Sequence, residues 1–261
     1  MEYLNDISYK DCVGKVCKSL NSGDFKIVKY NDKTNVEIQF LKTGYKTTVY
    51  LGNIKSGSIK DPYAPSVFGV GIIGAKYPIT INGVITKEYA LWKRMLERCY
   101  SDTFLTKNPT YEGCKCSENF KSYEYFYEWC HSQIGFDNDG NGNPFQLDKD
   151  LLIKGNKIYS ENLCVFIPRE LNSLLLTRDA KRGEHPLGVY LHKASNKFTS
   201  MLHIGNGKRK CLGSYNTSEE AFNVYKIAKE EFIKEKAEKY KSQIDFRVYN
   251  ALMSYEVKIT D

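Results

Sequence analysis

The apolar residues of this chain change their spacing from one stretch to the next, and that change limits the fold more than any single motif. From about Gly14 to Ile59 they alternate with polar residues, as in FKIVKY, NVEIQF and YKTTVYL, with NDKTN and KTGY as turn material between the runs. Alternation at period two belongs to strands with one buried face, so this stretch predicts a small antiparallel sheet or barrel. DPYAPSVFGVGIIG, with two prolines and three glycines, reads as an ordered connector leading out of it. Near Lys87 the spacing becomes helical: Tyr89, Trp92, Leu96 and Cys99 align within KEYALWKRMLERCY. The polar run SDTFLTKNPTYEG breaks that helix. A second is expected within NFKSYEYFYEWCHSQIG, with Tyr123, Phe126, Trp129 or Cys130, and Ile134 on its apolar face.

FDNDGNGNP follows as a turn-rich loop; it lacks the distal glutamate of a calcium-binding loop. Next come a strand (FQLDKD), a loop (LLIKGNK), a second strand (YSENLCVFI), Pro168 as a first helical residue, and a short helix, RELNSLLL. LGVYLHK, KFTSMLHIG and KRKCLGSY are three further strands. Thr217 or Ser218 then caps a long helix whose first turn carries Glu219 and Glu220, with Phe222, Tyr225, Ala228 or Lys229, and Phe232 along one side.

Composition narrows the function. With 261 residues, 41% hydrophobic and 26% charged, the chain has apolar material for two or three small cores. No run of about 18 apolar residues is present, and MEYLNDISYKDC does not have the form of a secretory signal. The expectation is a soluble cytoplasmic protein, in the host cytoplasm if phage-encoded, with no membrane partner. Eight cysteines without paired CxxC knuckles read as reduced, buried thiols, with Cys114, Cys116 and Cys130 as a candidate structural zinc set. The net charge of +7 suits a polyanionic partner. Between Arg178 and Gly213, Arg178, Lys181, Arg182, Lys193, Lys197, Lys208, Arg209 and Lys210 stand against only Asp179 and Glu184.

LWKRMLERCY, YEGCKC, NFKSYEYFYEW, and LDKD followed by YSENLCVFIPRELN carry a resemblance over residues 87–176 to the HNH-type endonuclease domains of phage and mobile-element proteins. By that resemblance Asp148 corresponds to the metal-binding acid and Lys149 to the general-base histidine. Asn162 corresponds to the asparagine that ties the hairpin, and Asn172 to the helix residue completing the metal site. The implied cofactor is one Mg²⁺ or Mn²⁺ on Asp148 and Asn172, since hard cations favour oxygen ligands. Lys149 departs from the pattern: an imidazole near pKa 6.5 accepts a proton at neutral pH, whereas an ammonium donates. A base role would need the ammonium proton removed first; as a cation it would instead hold the scissile phosphate or stabilise the transition state.

Gly188, Val189, the FTSML strand, Leu212, Gly213, Tyr215, then Ser218, Glu219, Glu220, Ala221, Tyr225 and Ala228, carry a second resemblance, to the plant ethylene-response-factor DNA-binding domain. That family lays a three-stranded sheet in the DNA major groove. The implied DNA-facing residues are Tyr190, His192, Lys193, Lys197, Thr199, His203, Lys208, Arg209 and Lys210. Phe198 replaces the usual tryptophan and arginines are sparse, which suits phosphate contact more than base readout.

Together these readings give an α+β protein. Residues 1–75 form a small β-barrel, 76–180 an HNH-like ββα-metal domain, 181–245 a three-stranded sheet packed on one long helix, and 246–261 a tail without a readable role. The expected function is double-stranded DNA binding of phage or mobile-element type, with metal-dependent phosphodiester cleavage if the central site is active. Two alternatives stay open: a non-cutting, nuclease-derived DNA-binding regulator or anti-defence factor, and a factor binding an acidic protein.

Overall fold

The computed structural model describes residues 12–137, 145–175, 184–205 and 207–260. The turn-rich loop at 138–144 and the basic residues Arg178, Lys181 and Arg182 lie outside them. The fold is mixed α+β with several small sheets, and the chain divides into two compact units, Met1–Trp129 and Cys130–Asp261.

The first unit begins with the strands that the alternation predicts: β1 (Val16–Ser19), β2 (Gly23–Asp32), β3 (Asn35–Phe40) and β4 (Lys46–Val49). They pair antiparallel in the order β1-β2-β3-β4. Phe25, Ile27, Val36, Ile38 and Phe40, each at most 1% exposed, fill one face. Among the described residues no barrel closes, which corrects the sequence expectation. After β4 the chain turns into helix α1 (Leu51–Ser56) rather than pairing with β1. Leu51, Ile54 and Ile59 then cover the core, and β1 is met at its end by loop contacts: the Leu20 N–H donates to Gly57 O (3.0 Å) and Ser19 Oγ to Ile59 O (2.5 Å).

A two-stranded hairpin, β5 (Thr80–Ile81) and β6 (Val84–Ile85), precedes helix α2 (Lys87–Tyr100). The span of α2 is that of the predicted amphipathic segment, and Thr86 caps it by accepting the Tyr89 N–H. Trp92, Met95, Leu96 and Cys99 are buried, and Trp92 Nε1 donates to Phe120 O at 2.8 Å. Helix α3 (Asp102–Lys107) and the short strand β7 (Lys115–Cys116) follow. Helix α4 (Tyr123–Ser132) buries Tyr123, Phe126, Trp129 and Cys130. Ile134 departs from expectation: the helix ends at Ser132, and Ile134 is 56% exposed.

In the second unit, β8 (Gln146–Asp148), β9 (Ile158–Tyr159), β10 (Val165–Ile167) and helix α5 (Arg169–Leu175) occur in that order. β8 and β10 pair antiparallel with Asp148 opposite Val165 and Gln146 opposite Ile167. Pro168 O accepts the Asn172 N–H (3.0 Å), so Pro168 stands just before the first helical residue. Then β11 (Val189–His192), β12 (Lys197–Gly205) and β13 (Lys208–Tyr215) form an antiparallel sheet, with helix α6 (Ser218–Tyr240) packed on one face. Thr217 and Glu220 close a capping box at the start of α6. Gly188 has φ +77°, and a Cβ there would stand 2.1 Å from Tyr225 Cδ2, so this close approach of chain to helix requires glycine.

Residues 246–261 are more than a tail. Asp245 caps helix α7 (Phe246–Met253). Val248 and Leu252 are fully buried, and Val257 and Tyr255 join the core made by Val189, Leu202, Phe222 and Tyr225. Helix α5 is fastened to α6 within the same unit. Glu170 accepts from Lys236 (2.7 Å), Lys239 (3.0 Å) and the Tyr240 hydroxyl (2.6 Å), and Lys229 Nζ donates to Leu174 O (2.7 Å).

Candidate nucleic-acid interface and nuclease-like hairpin

The three-stranded sheet has one face against α6 and one open. Val189, Phe198, Ser200, Leu202 and Tyr215 point to the helix, and the register assigns the rest by alternation. Tyr190 pairs with Thr199, His192 with Lys197, His203 with Arg209, and Met201 with Cys211; all lie on the open side. Six of the nine residues expected at a DNA face therefore share it: Tyr190, His192, Lys197, Thr199, His203 and Arg209. Among the described residues of this face there is no carboxylate.

The other three are placed differently. Lys193 is exposed in the β11–β12 turn, and Lys208 sits opposite Gly205 at the end of the β12–β13 hairpin. Lys210 is on the helix side. It pairs with Leu202 and lines an open groove with Ile204, Phe232, Glu231 and Glu235. The cause is a register shift between Ser200 and Met201: Gly213 opposes Ser200 and Cys211 opposes Met201, leaving Leu212 as the extra residue of a bulge.

The hairpin presents Asp148, Lys149, Asn162 and Asn172 in more varied roles. Asp148 Oδ1 accepts the N–H groups of Asp150 (3.0 Å) and Leu151 (2.7 Å), which turns the chain sharply after β8. Burial, and then the neighbouring Asp150 carboxylate, push the Asp148 carboxyl above its ordinary pKa, against the pull of those two N–H donors and of Lys149. Asn172 donates through Nδ2 to Gln146 Oε1 at 2.7 Å. Gln146 and Asp148 are two residues apart on one strand, so their side chains leave β8 on the same face.

Lys149 is 8% exposed, and its ammonium has specific partners: Asn156 O at 2.6 Å and Asp150 Oδ2 at 2.9 Å, with the Tyr159 ring 5.8 Å away. Asn156 completes a clasp. Its Nδ2 donates to Lys149 O (2.6 Å) and Ile158 O (2.7 Å), while its Oδ1 accepts the Ile158 N–H (3.0 Å). A buried cation is tolerated only when paired, and here the pairing holds the loop 149–158 in shape. Asn156, not singled out among the sequence candidates, thus ties this hairpin, and the GN dipeptide was its signal: Gly155 at φ +78° sets up the turn. Asn162 enters through its main chain, its carbonyl accepting Arg247 Nη1 at 3.1 Å.

For a hard cation the donors are few. Asp148 has one oxygen held by main-chain N–H groups, and the Asn172 NH₂ is turned to Gln146, which leaves one carboxylate oxygen and one amide oxygen. Such a pair suits only an ion that keeps water and substrate phosphate as its remaining ligands. Among the described residues no group of three or more His, Cys, Asp or Glu side chains gathers as a ligand set. Cys114, Cys116 and Cys130 are buried thiols; Cys116 Sγ lies 3.5 Å from the Tyr100 hydroxyl, and burial raises its pKa. No helix among the described residues is long and apolar enough to cross a membrane. No family model, curated protein or solved structure matches this chain.

Proposed function

We propose that this chain is a double-stranded DNA-binding protein of phage or mobile-element type that meets the duplex with the open face of β11–β13. The observation that carries the reading is that face itself: Lys197, Arg209, His192 and His203 share it with the hydrogen-bonding Tyr190 and Thr199, and no described residue there carries a carboxylate. Cations without opposing acids attract phosphate, and a sheet face with period-two side chains fits a groove. The ββα hairpin resembles a nuclease scaffold in which the residue at the base position has become structural. Lys149 donates to Asn156 O and Asp150 and holds a loop, so the reading favoured is binding without cutting.

A second reading, metal-dependent cutting, is favoured by one observation. Asp148 is half-buried beside Asp150, and a carboxyl whose charge is disfavoured first by burial and then by a neighbouring carboxylate is a setting that a divalent cation would relieve.

Fluorescence anisotropy with a labelled duplex across a salt series tests the first reading. Affinity should fall steeply with salt, and Lys197→Gln with Arg209→Gln should lower the salt slope by about 2. Binding that ignores salt, or a double variant indistinguishable from wild type, sinks it; equal affinity for polyglutamate would favour an acidic protein partner. Plasmid nicking with Mg²⁺ or Mn²⁺ separates the two readings. Wild type should not nick, and nicking that Asp148→Ala abolishes would establish the second.

A further inference from the structure

Residues 12–60 hold nine lysines, no arginine and three acids, a net +6 out of the chain's +7. The pairing of β1–β4 shows where the strand lysines go. Phe25, Ile27, Val36, Ile38 and Phe40 occupy the core side, so Lys18, Lys26, Lys29 and Lys46 project from the other. Lys26 opposes Gln39 and Gln39 opposes Lys46, which sets two exposed lysines in one row across three adjacent strands, their roots about 10 Å apart at the usual strand spacing.

The three acids offset this face only in part. Asp32 is drawn into its own turn, where Oδ1 accepts both the N–H (2.7 Å) and the hydroxyl (2.6 Å) of Thr34. Glu37 meets Lys29 at 3.7 Å and offsets its charge, while Lys26 and Lys46 stand opposite Gln39 and not opposite an acid. Asp24 opposes Lys18 at the sheet end.

We propose that the outer face of β1–β4 is a second DNA surface, holding the phosphate backbone of a duplex without regard to sequence. This rests on the DNA-binding reading above but on different residues. The side chains themselves choose the occupant. Single-strand binders stack bases on aromatic rings, yet the outward strand positions carry none among the described residues; Tyr30 and Tyr45 pack against the core instead. Arginine, whose guanidinium fork makes the commonest base-specific contact, is absent from this stretch. Lysine point charges on a strand face match phosphates, and a second contact surface in one chain raises the effective concentration of the first.

The test uses the full chain and a labelled random-sequence duplex. Lys26→Gln, Lys29→Gln and Lys46→Gln together should lower the salt slope by about 2 to 3 and weaken binding at least about tenfold at low salt. Lys107→Gln, Lys234→Gln and Lys241→Gln remove the same charge elsewhere and should change neither by more than a small fraction. Gln39→Lys, which adds a cation to the row, should tighten binding and raise the slope by about 1. If the sheet variants match the control and Gln39→Lys gains nothing, the proposal is overturned. The C-terminal reading still stands in that case if Lys197→Gln with Arg209→Gln loses affinity. The reverse pattern, loss in the sheet triple and none in the C-terminal pair, keeps this surface and removes the other. Tighter binding of a single strand of equal length, or no duplex binding by wild type, also overturns the proposal.

Discussion

Replacing Lys149 with methionine keeps most of the side chain's volume and removes only its ammonium, so it isolates the clasp. The bond lost inside the loop is the one to Asn156 O at 2.6 Å. A charged hydrogen bond of that sort contributes about 1.5–3 kcal/mol, and its loss leaves a carbonyl unpaired. The ion pair with Asp150 adds less, because the Asp150 side chain is 48% exposed. Burial of the methionine thioether offsets part of the loss, so a net cost of about 2 kcal/mol is expected. For a cooperative unit of this size that is a fall of about 4–8 °C in melting temperature, measurable by scanning calorimetry. Asn156→Ala should cost a similar amount, and the double variant should lose about 1 kcal/mol less than the two singles combined, since both open the same loop. A Lys149→Met protein that melts within about 1 °C of wild type would refute the clasp, and with it the reason given for a lysine at this position.

Three other outcomes follow from the packing and charge of the second unit. Gly188→Ala, which forces a Cβ to 2.1 Å from the Tyr225 ring at a φ of +77°, should cost roughly 2–4 kcal/mol in urea unfolding. Leu252→Ala, in a helix the sequence left unassigned, should cost about 2–5 kcal/mol because the side chain is fully buried; a near-neutral change would detach α7 from the core. Glu170 gives a pH signature: burial alone would raise its carboxyl, but donors on Lys236, Tyr240 and Lys239 overcome that and hold it at about 2. Its folded value is below its unfolded one, so its contribution is full above the unfolded value, near 4.3, and is lost as pH falls toward 2. Glu170→Gln should therefore flatten stability between those limits and leave the neutral-to-basic limb unchanged in shape.

Elements whose signal is local were legible in the sequence. The helical stripe of KEYALWKRMLERCY gives α2 its span, and Thr217 with Glu220 announces the start of α6. What failed depended on partners distant in the chain. Alternation identifies β1–β4 but not whether β4 returns to β1, and LGNIKS becomes a helix instead. One extra residue at Leu212 moves Lys210 to the helix side, and a bulge leaves no mark on a hydrophobic pattern. The role of Lys149 becomes visible only once Asn156 O is beside it. The lysine surplus of 12–60 is plain in composition, but the placing of Lys18, Lys26, Lys29 and Lys46 on one side of a sheet needs the strand register.

The central claim, that DNA meets the open face of β11–β13, is tested most directly by two adjacent residues on opposite sides of one strand. Arg209→Ala and Lys210→Ala each remove one positive charge, yet Arg209 pairs with His203 on the open face and Lys210 with Leu202 on the helix side. In duplex titrations over a range of salt, Arg209→Ala should lower the slope by about 1 and weaken binding, while Lys210→Ala should leave both close to wild type. Equal losses from the two, or a larger loss from Lys210→Ala, would contradict the account.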